Sequence, residues 1–151
     1  MNAEQANWKH INNFAKSEWK HNRSELSLLS FEQIELVDRV RDHLGVSMIP
    51  SPVDGAFART YGSKGSQHYA GDGNLANAGD YFIPSLTPKQ LMVKLFNMKD
   101  KPRGIGIYLD TQLGGEKCTM LHIDSREKPL FWIRDEDGYH YDEKEIARRI
   151  G

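Results

Sequence analysis

The 151-residue sequence predicts an α+β fold, a small antiparallel sheet with flanking helices in a single domain. Three observations carry this expectation. A capped amphipathic helix is legible in the first third, and short strand-length apolar runs crowd the second half. Between them lies no repeat, low-complexity tract or linker long enough to separate independent domains.

Each element has a local reason. Residues 1–29 read as a loosely packed N-terminal segment in which Phe14 and Trp19 plug into the domain surface, since large aromatics bury much of their area. Ser30 can cap a helix with Gln33 answering three residues later; Phe31, Ile34, Val37, Val40 and Leu44 form its apolar stripe, and Gly45 ends it. Val46–Ile49 reads as a short strand stopped by Pro50 and Pro52. Residues 54–79 are rich in Gly, Ser and Asn, the composition of loops that carry functional side chains. Asp80–Ile83 reads as a returning strand, and Thr87-Pro88 as the start of a helix with Leu91, Met92, Leu95 and Phe96 inward. Strands are expected at Gly104–Leu109, Thr119–Ser125 and Leu130–Arg134. The Asp137-Gly138 turn leads to another around Tyr139–Tyr141, and a short helix spans Ile146–Ile150.

Composition narrows the function. With 27% charged residues and a net charge of -1, the chain has no basic stripe and no electrostatic case for nucleic acid as a partner. Its apolar runs are too short and too charged for membrane insertion. The N-terminus lacks the basic-then-apolar layout of a signal peptide, so synthesis in the cytoplasm is expected. The lone Cys118 sits in strand context without a cysteine-enzyme signature and reads as structural.

The chemistry-bearing residues are His68, Asp80 and His122. Two imidazoles and a carboxylate suit Zn2+, and a three-ligand set leaves a coordination position for water. Strand alternation puts Met120, His122 and Asp124 on one face and Leu121 and Ile123 on the other. Asp72 competes with Asp80 as the carboxylate ligand. His10, His21 and His43 lie in polar or helical surface contexts, and His140 reads as packed.

Taken together, Ser66-Gln67-His68, Ala76-Asn77-Ala78-Gly79-Asp80 and His122-Ile123-Asp124 resemble the motifs of the M15 family of zinc peptidases. That family includes D-alanyl-D-alanine carboxypeptidases and phage endolysin peptidases, and the hedgehog signalling domain shares its fold. The Phe14 to Trp19 entry, Gly104-Ile105-Gly106-Ile107-Tyr108 and the run from His122 through Arg126 to Trp132 are similar to phage-encoded members. The resemblance covers roughly residues 10–142. It implies a hedgehog/DD-peptidase-like domain with His68, Asp80 and His122 as zinc ligands. Arg59 would bind the substrate carbonyl or carboxylate and stabilise the oxyanion, with Ser66 and Gln67 shaping the loop and orienting His68. The substrate implied is a peptidoglycan stem peptide, and the setting a lysin or virion-associated wall enzyme, with other virion proteins as partners.

Two departures stand out. The stretch Tyr69–Leu75 lengthens the gap before the Asp motif, and Ala76 replaces its Gly. The family's acidic residue three positions before the last His is Thr119 here, which cannot accept a proton. Glu116, at an offset where the hedgehog domain has a glutamate, is the expected general base, with Asp124 as the other candidate. A structural or binding component of a virion that kept the fold and lost turnover is the rival expectation.

Overall fold

Ser30 opens the first helix, but not through the expected capping box. In the computed structural model, which describes residues 1–151, α1 runs Phe31–Leu44 and the Ser30 hydroxyl accepts from Glu32 N. Gln33 turns inward and is fully buried. With its amide oriented to satisfy both neighbours, it donates to the Asn77 carbonyl at 2.9 Å and accepts from Gly79 N at 3.2 Å. Gly45 ends the helix at φ +67°, the left-handed cap glycine favours.

Residues 1–29 are a correction to the sequence reading: they are packed, not loose. Ala3, Trp19, Leu26 and Leu29 are fully buried in the main core, and Phe14 joins them. Trp19 meets Trp8 and Phe57 edge-on at 5.5 Å between centroids. Two short 3-10 turns, Lys16–Glu18 and Arg23–Leu28, carry the segment across the core. Buried Asp38 on α1 anchors it by accepting from Asn12 N and Asn13 N at 3.1 and 2.8 Å. Local periodicity is absent here because polar side chains, and not a regular element, hold the backbone.

The principal sheet has six strands: β1 (Ile49–Pro50), β2 (Ala78–Phe82), β3 (Gly104–Tyr108), β6 (Met120–Asp124), β7 (Leu130–Asp135) and β8 (Gly138–His140). Their spatial order is β1-β2-β6-β3-β7-β8. Every neighbouring pair is antiparallel except β3 with β7, which is parallel. Pro50 belongs to β1 and does not merely stop it, which an edge position permits because only one side of the strand is paired. A separate hairpin, β4 (Gln112–Leu113) and β5 (Glu116–Lys117), turns on Gly114 and Gly115 at φ +61° and +83°, the two positive angles of a type I′ turn. Helix α2 (Pro88–Phe96) starts with a Thr87–Gln90 capping box; α3 (Glu143–Arg149) is capped by Asp142. Leu91 and Leu95 of α2 face inward as expected, while Phe96 is exposed.

Both faces of the sheet carry apolar residues. Tyr81, Ile105, Ile107, Leu121, Ile123 and Ile133 face the main core under α1 and α2. Phe82, Tyr108, Met120 and Trp132 form a second, smaller cluster on the opposite face, partly covered by Leu113 and Cys118. That second face also bears Asp80, His122 and Asp124. No helix is long and apolar enough to cross a membrane.

If the N-terminal segment belongs to the core, Trp19→Ala should cost about 3–5 kcal/mol, the usual penalty for emptying a large buried aromatic site. Denaturant unfolding monitored by circular dichroism measures this; a loss under about 1 kcal/mol, as at surface sites, would return the segment to the periphery.

Candidate metal centre

Register brings the predicted ligands together. In the β2–β6 ladder Asp80 lies opposite His122, and in β6–β3 His122 lies opposite Gly106, which in turn faces Trp132 on β7. Asp80, His122, Gly106 and Trp132 thus form one row across the sheet, with all side chains on the same face. His68 reaches this row from the loop above. Its backbone is fixed by Arg59 N donating to His68 O at 2.9 Å and by His68 N donating to the Ser66 hydroxyl at 3.2 Å.

Three atoms converge. His122 Nδ1 is 3.0 Å from Asp80 Oδ1 and 3.1 Å from His68 Nε2, and His68 Nε2 is 3.3 Å from Asp80 Oδ1. Ligands at about 2.0–2.1 Å around a tetrahedral zinc would be separated by roughly 3.3–3.4 Å, so the triangle is near the size a cation needs. The other ring nitrogens settle which atoms carry lone pairs. His68 Nδ1 faces the Phe57 carbonyl at 3.3 Å, and His122 Nε2 faces Asp124 Oδ2 at 2.7 Å; both partners only accept, so both nitrogens must donate. In the neutral rings, His68 Nε2 and His122 Nδ1 are therefore bare and aimed at each other and at a carboxylate oxygen. Such an arrangement repels itself unless a proton or a cation sits within it. These three residues can hold a metal ion.

A supporting layer stands behind His122. Asp124 is fully buried and takes two side-chain bonds from Arg126, Nε to Oδ1 at 2.9 Å and Nη2 to Oδ2 at 2.6 Å. Arg126 in turn stacks on Trp132, 4.9 Å from the ring. Two glycines make room: a Cβ on Gly104 would collide with the Asp124 carboxylate, and one on Gly106 with the Trp132 indole. Their alternation in Gly104-Ile105-Gly106-Ile107 is the sequence signal that could have revealed a crowded face. Arg126 and Trp132 entered only through the resemblance.

Electrostatics follow from this packing. Burial opposes charge on Asp80, but His68 and His122 beside it outweigh that and hold its carboxyl well below the usual range. Asp124 is likewise lowered, with Arg126 and His122 overcoming burial. Burial disfavours the charged form of His122, yet Asp124 and Asp80 on its two sides win and raise it to about 9. In the metal-free protein a proton therefore occupies the place between His122 and Asp80. Burial, reinforced by Asp80, pushes the Tyr108 phenol up, so it remains a neutral hydroxyl.

Arg59 Nη2 donates to the Ser66 hydroxyl at 3.1 Å, the same oxygen that accepts from His68 N, and Arg59 makes no ion pair. Ser66 thus orients His68 as expected, whereas Gln67 contributes its main-chain carbonyl, accepting from Asn77 N. Asp72 is exposed, 3.7 Å from Lys64, and stands apart from the cluster. Asp124, one of two candidate bases, meets the far nitrogen of His122 at 2.7 Å and takes both side-chain bonds of Arg126, a placement suited to orienting the His122 ring. Glu116 is exposed on β5. The Thr119 hydroxyl donates to Leu86 O at 3.0 Å. Cys118, partly buried against the apolar cluster with its thiol pushed up by burial, fits a packing role. His140 faces Asp135 at 2.8 Å, within an ion network that includes Arg149.

Searches against protein-family models, curated proteins and solved structures find no match to this chain.

Two outcomes test the centre. Asp124→Asn should weaken metal affinity about 10–100-fold, as loss of a group supporting a ligand histidine does; equilibrium competition with a chelator reads it, and an unchanged affinity would refute the support. The second concerns pH. His122 is raised from 6.5 to about 9 on folding, so its stabilising charge is fully present below pH 6.5 and lost as pH rises through about 9. The metal-free protein should therefore lose thermal stability across that window. Metal affinity should rise over the same window, because binding displaces the proton; calorimetry and metal titration at stepped pH check both signs.

Proposed function

We propose that the protein is a zinc-dependent peptidase that hydrolyses amide bonds in peptidoglycan stem peptides. The observation that carries this reading is the convergence of His68 Nε2 and His122 Nδ1 with Asp80 Oδ1. Three donors of this chemistry suit zinc and leave one coordination position open, the pattern of catalytic and not of structural sites. Zinc bound there would lower the pKa of a water toward neutrality and polarise an amide carbonyl. The motif resemblance to the M15 peptidases supplies the substrate class and the phage setting, either as a released lysin or as a wall enzyme of the virion.

The chain's own residues have separable roles in this scheme. His68, Asp80 and His122 hold the metal, and Asp124 with Arg126 fixes the ring of His122. Arg59 has no carboxylate partner, so its guanidinium is free to pair with a substrate carbonyl or terminal carboxylate and with the oxyanion that develops. Glu116 is the carboxylate assigned to accept the proton from water.

A second reading has its own support. Thr119 stands where the M15 peptidases that the chain's motifs resemble carry an acid, and its hydroxyl is already bonded to Leu86 O. With Asp124 committed to His122, the proton acceptor rests on Glu116 alone. A metal-binding virion component without turnover would show this combination.

Zymography on purified cell wall separates the two. The peptidase reading expects wall cleavage that a chelator abolishes and zinc restores. Arg59→Ala should lower kcat about 10²–10³-fold, the typical effect of losing one oxyanion donor. Glu116→Gln should lower it about 10²–10⁴-fold with bound metal retained. Stoichiometric zinc in a wild-type protein that leaves the wall intact would establish the second reading.

A further inference from the structure

Glu25 lies far from the metal ligands in sequence, yet its carboxylate sits under the strap that positions them. It is 9% exposed and accepts three main-chain N–H groups: Gly55 N at 3.0 Å on Oε2, and Phe57 N and Ala58 N at 3.0 and 2.9 Å on Oε1. Charge-assisted bonds of this kind are among the stronger ones in proteins, and three on one carboxylate fix the path of residues 55–58. No cation pairs with Glu25, so the strap's amide dipoles alone compensate its charge.

The strap serves both arms of the centre. The Ala56 carbonyl accepts from Asp80 N at 3.1 Å, and the Phe57 carbonyl accepts from His68 Nδ1 at 3.3 Å. Its continuation, Arg59, exchanges main-chain bonds with the His68 segment: Arg59 N donates to His68 O, and Ala70 N donates to Arg59 O. One residue of the strap is thus decisive. The Phe57 N–H is held by Glu25, and the Phe57 carbonyl fixes which nitrogen of His68 carries the proton, leaving Nε2 bare for a ligand.

We infer that Glu25 is a positioning residue for the candidate metal centre, acting through the 55–58 strap to set the tautomer and orientation of His68 and the placement of Asp80. The inference deepens the metal-centre reading and rests on it for its metal arm. Replacement by glutamine keeps the shape but sets an NH2 donor against at least one strap N–H, so the strap must shift while the core around it is unchanged.

The test compares wild type, Glu25→Gln and Glu25→Asp, with Glu4→Gln at the exposed Arg23 ion pair as control. Two readouts are taken below each variant's melting temperature: zinc and cobalt affinity by chelator competition, and the imidazole 15N shifts of His68 without metal. Glu25→Gln should weaken metal affinity about 10–100-fold, the range for groups that orient a ligand histidine. It should also move the His68 15N shifts away from the Nδ1–H form, while Glu4→Gln changes neither. Unchanged shifts and affinity in a folded but less stable Glu25→Gln protein would overturn the inference, leaving Glu25 a structural anchor only. If wild type binds neither metal, the metal-centre reading fails on its own, and the His68 shifts still decide whether Glu25 governs that ring. If neither variant folds, wild type decides: coupling is reciprocal, so metal should slow amide exchange at Gly55, Phe57 and Ala58, and unaltered exchange there would refute the link.

Discussion

Strand β6 is hydrogen-bonded on both edges, to β2 and to β3, and this double pairing is the constraint on which the centre depends. Because side chains alternate, a one-residue slip would turn Leu121 and Ile123 toward the site and drive His122 and Asp124 into the apolar core. The core thereby enforces the register that sets His122 opposite Asp80. Apolar burial on one face of the sheet specifies polar geometry on the other, and only His68 has to be delivered by a loop.

Charge on the site face is apportioned unevenly around His122. Both flanking carboxylates favour a charged ring, but Asp124 is compensated by Arg126 and buried, whereas Asp80 faces the two imidazoles alone. The donor triangle consequently carries one negative charge, so a divalent cation held there would retain net positive charge. That balance suits polarisation of a bound carbonyl or water better than a fully neutralised structural site would. The same layout explains why Gly104 and Gly106 cannot easily be replaced: the Asp124 carboxylate and the Trp132 indole lie directly over their α-carbons.

Much of this is legible in the sequence wherever a local period or cap speaks for it. Helices α1 and α2, the inward Leu121 and Ile123, and the shared face of His122 and Asp124 follow from spacing and residue chemistry, whereas the choice of His68, Asp80 and His122 among six histidines and many acids leans on the motif resemblance. What escapes depends on partners distant along the chain. The parallel pairing of β3 with β7 leaves no local mark, since each strand reads the same in either direction. Asp38 and Glu25 look like solvated acids among polar neighbours, because the groups that justify their burial are main-chain N–H donors of remote segments. Gln33 similarly resembles a cap residue until the β2 backbone arrives to occupy its amide. The role of Asp124 is hidden for a related reason: alternation gives the face of a side chain but not which imidazole nitrogen it meets.

The candidate donor triangle and the hairpin that carries Glu116 belong to elements of very different rigidity. Asp80 and His122 stand on central strands paired along their full length, and His68 is pinned through main-chain bonds on either side of its loop. Glu116 instead rides on a hairpin whose strands are two residues each, a size that is marginal alone. Its anchorage comes from Leu113 and Cys118, which pack on the Phe82, Tyr108, Met120 and Trp132 cluster. The position of Glu116 is therefore set by apolar contact of its hairpin with the site face, not by the hydrogen-bonded framework that holds the donor triangle. Changes in that small cluster would shift the β4–β5 hairpin while leaving the donor triangle intact.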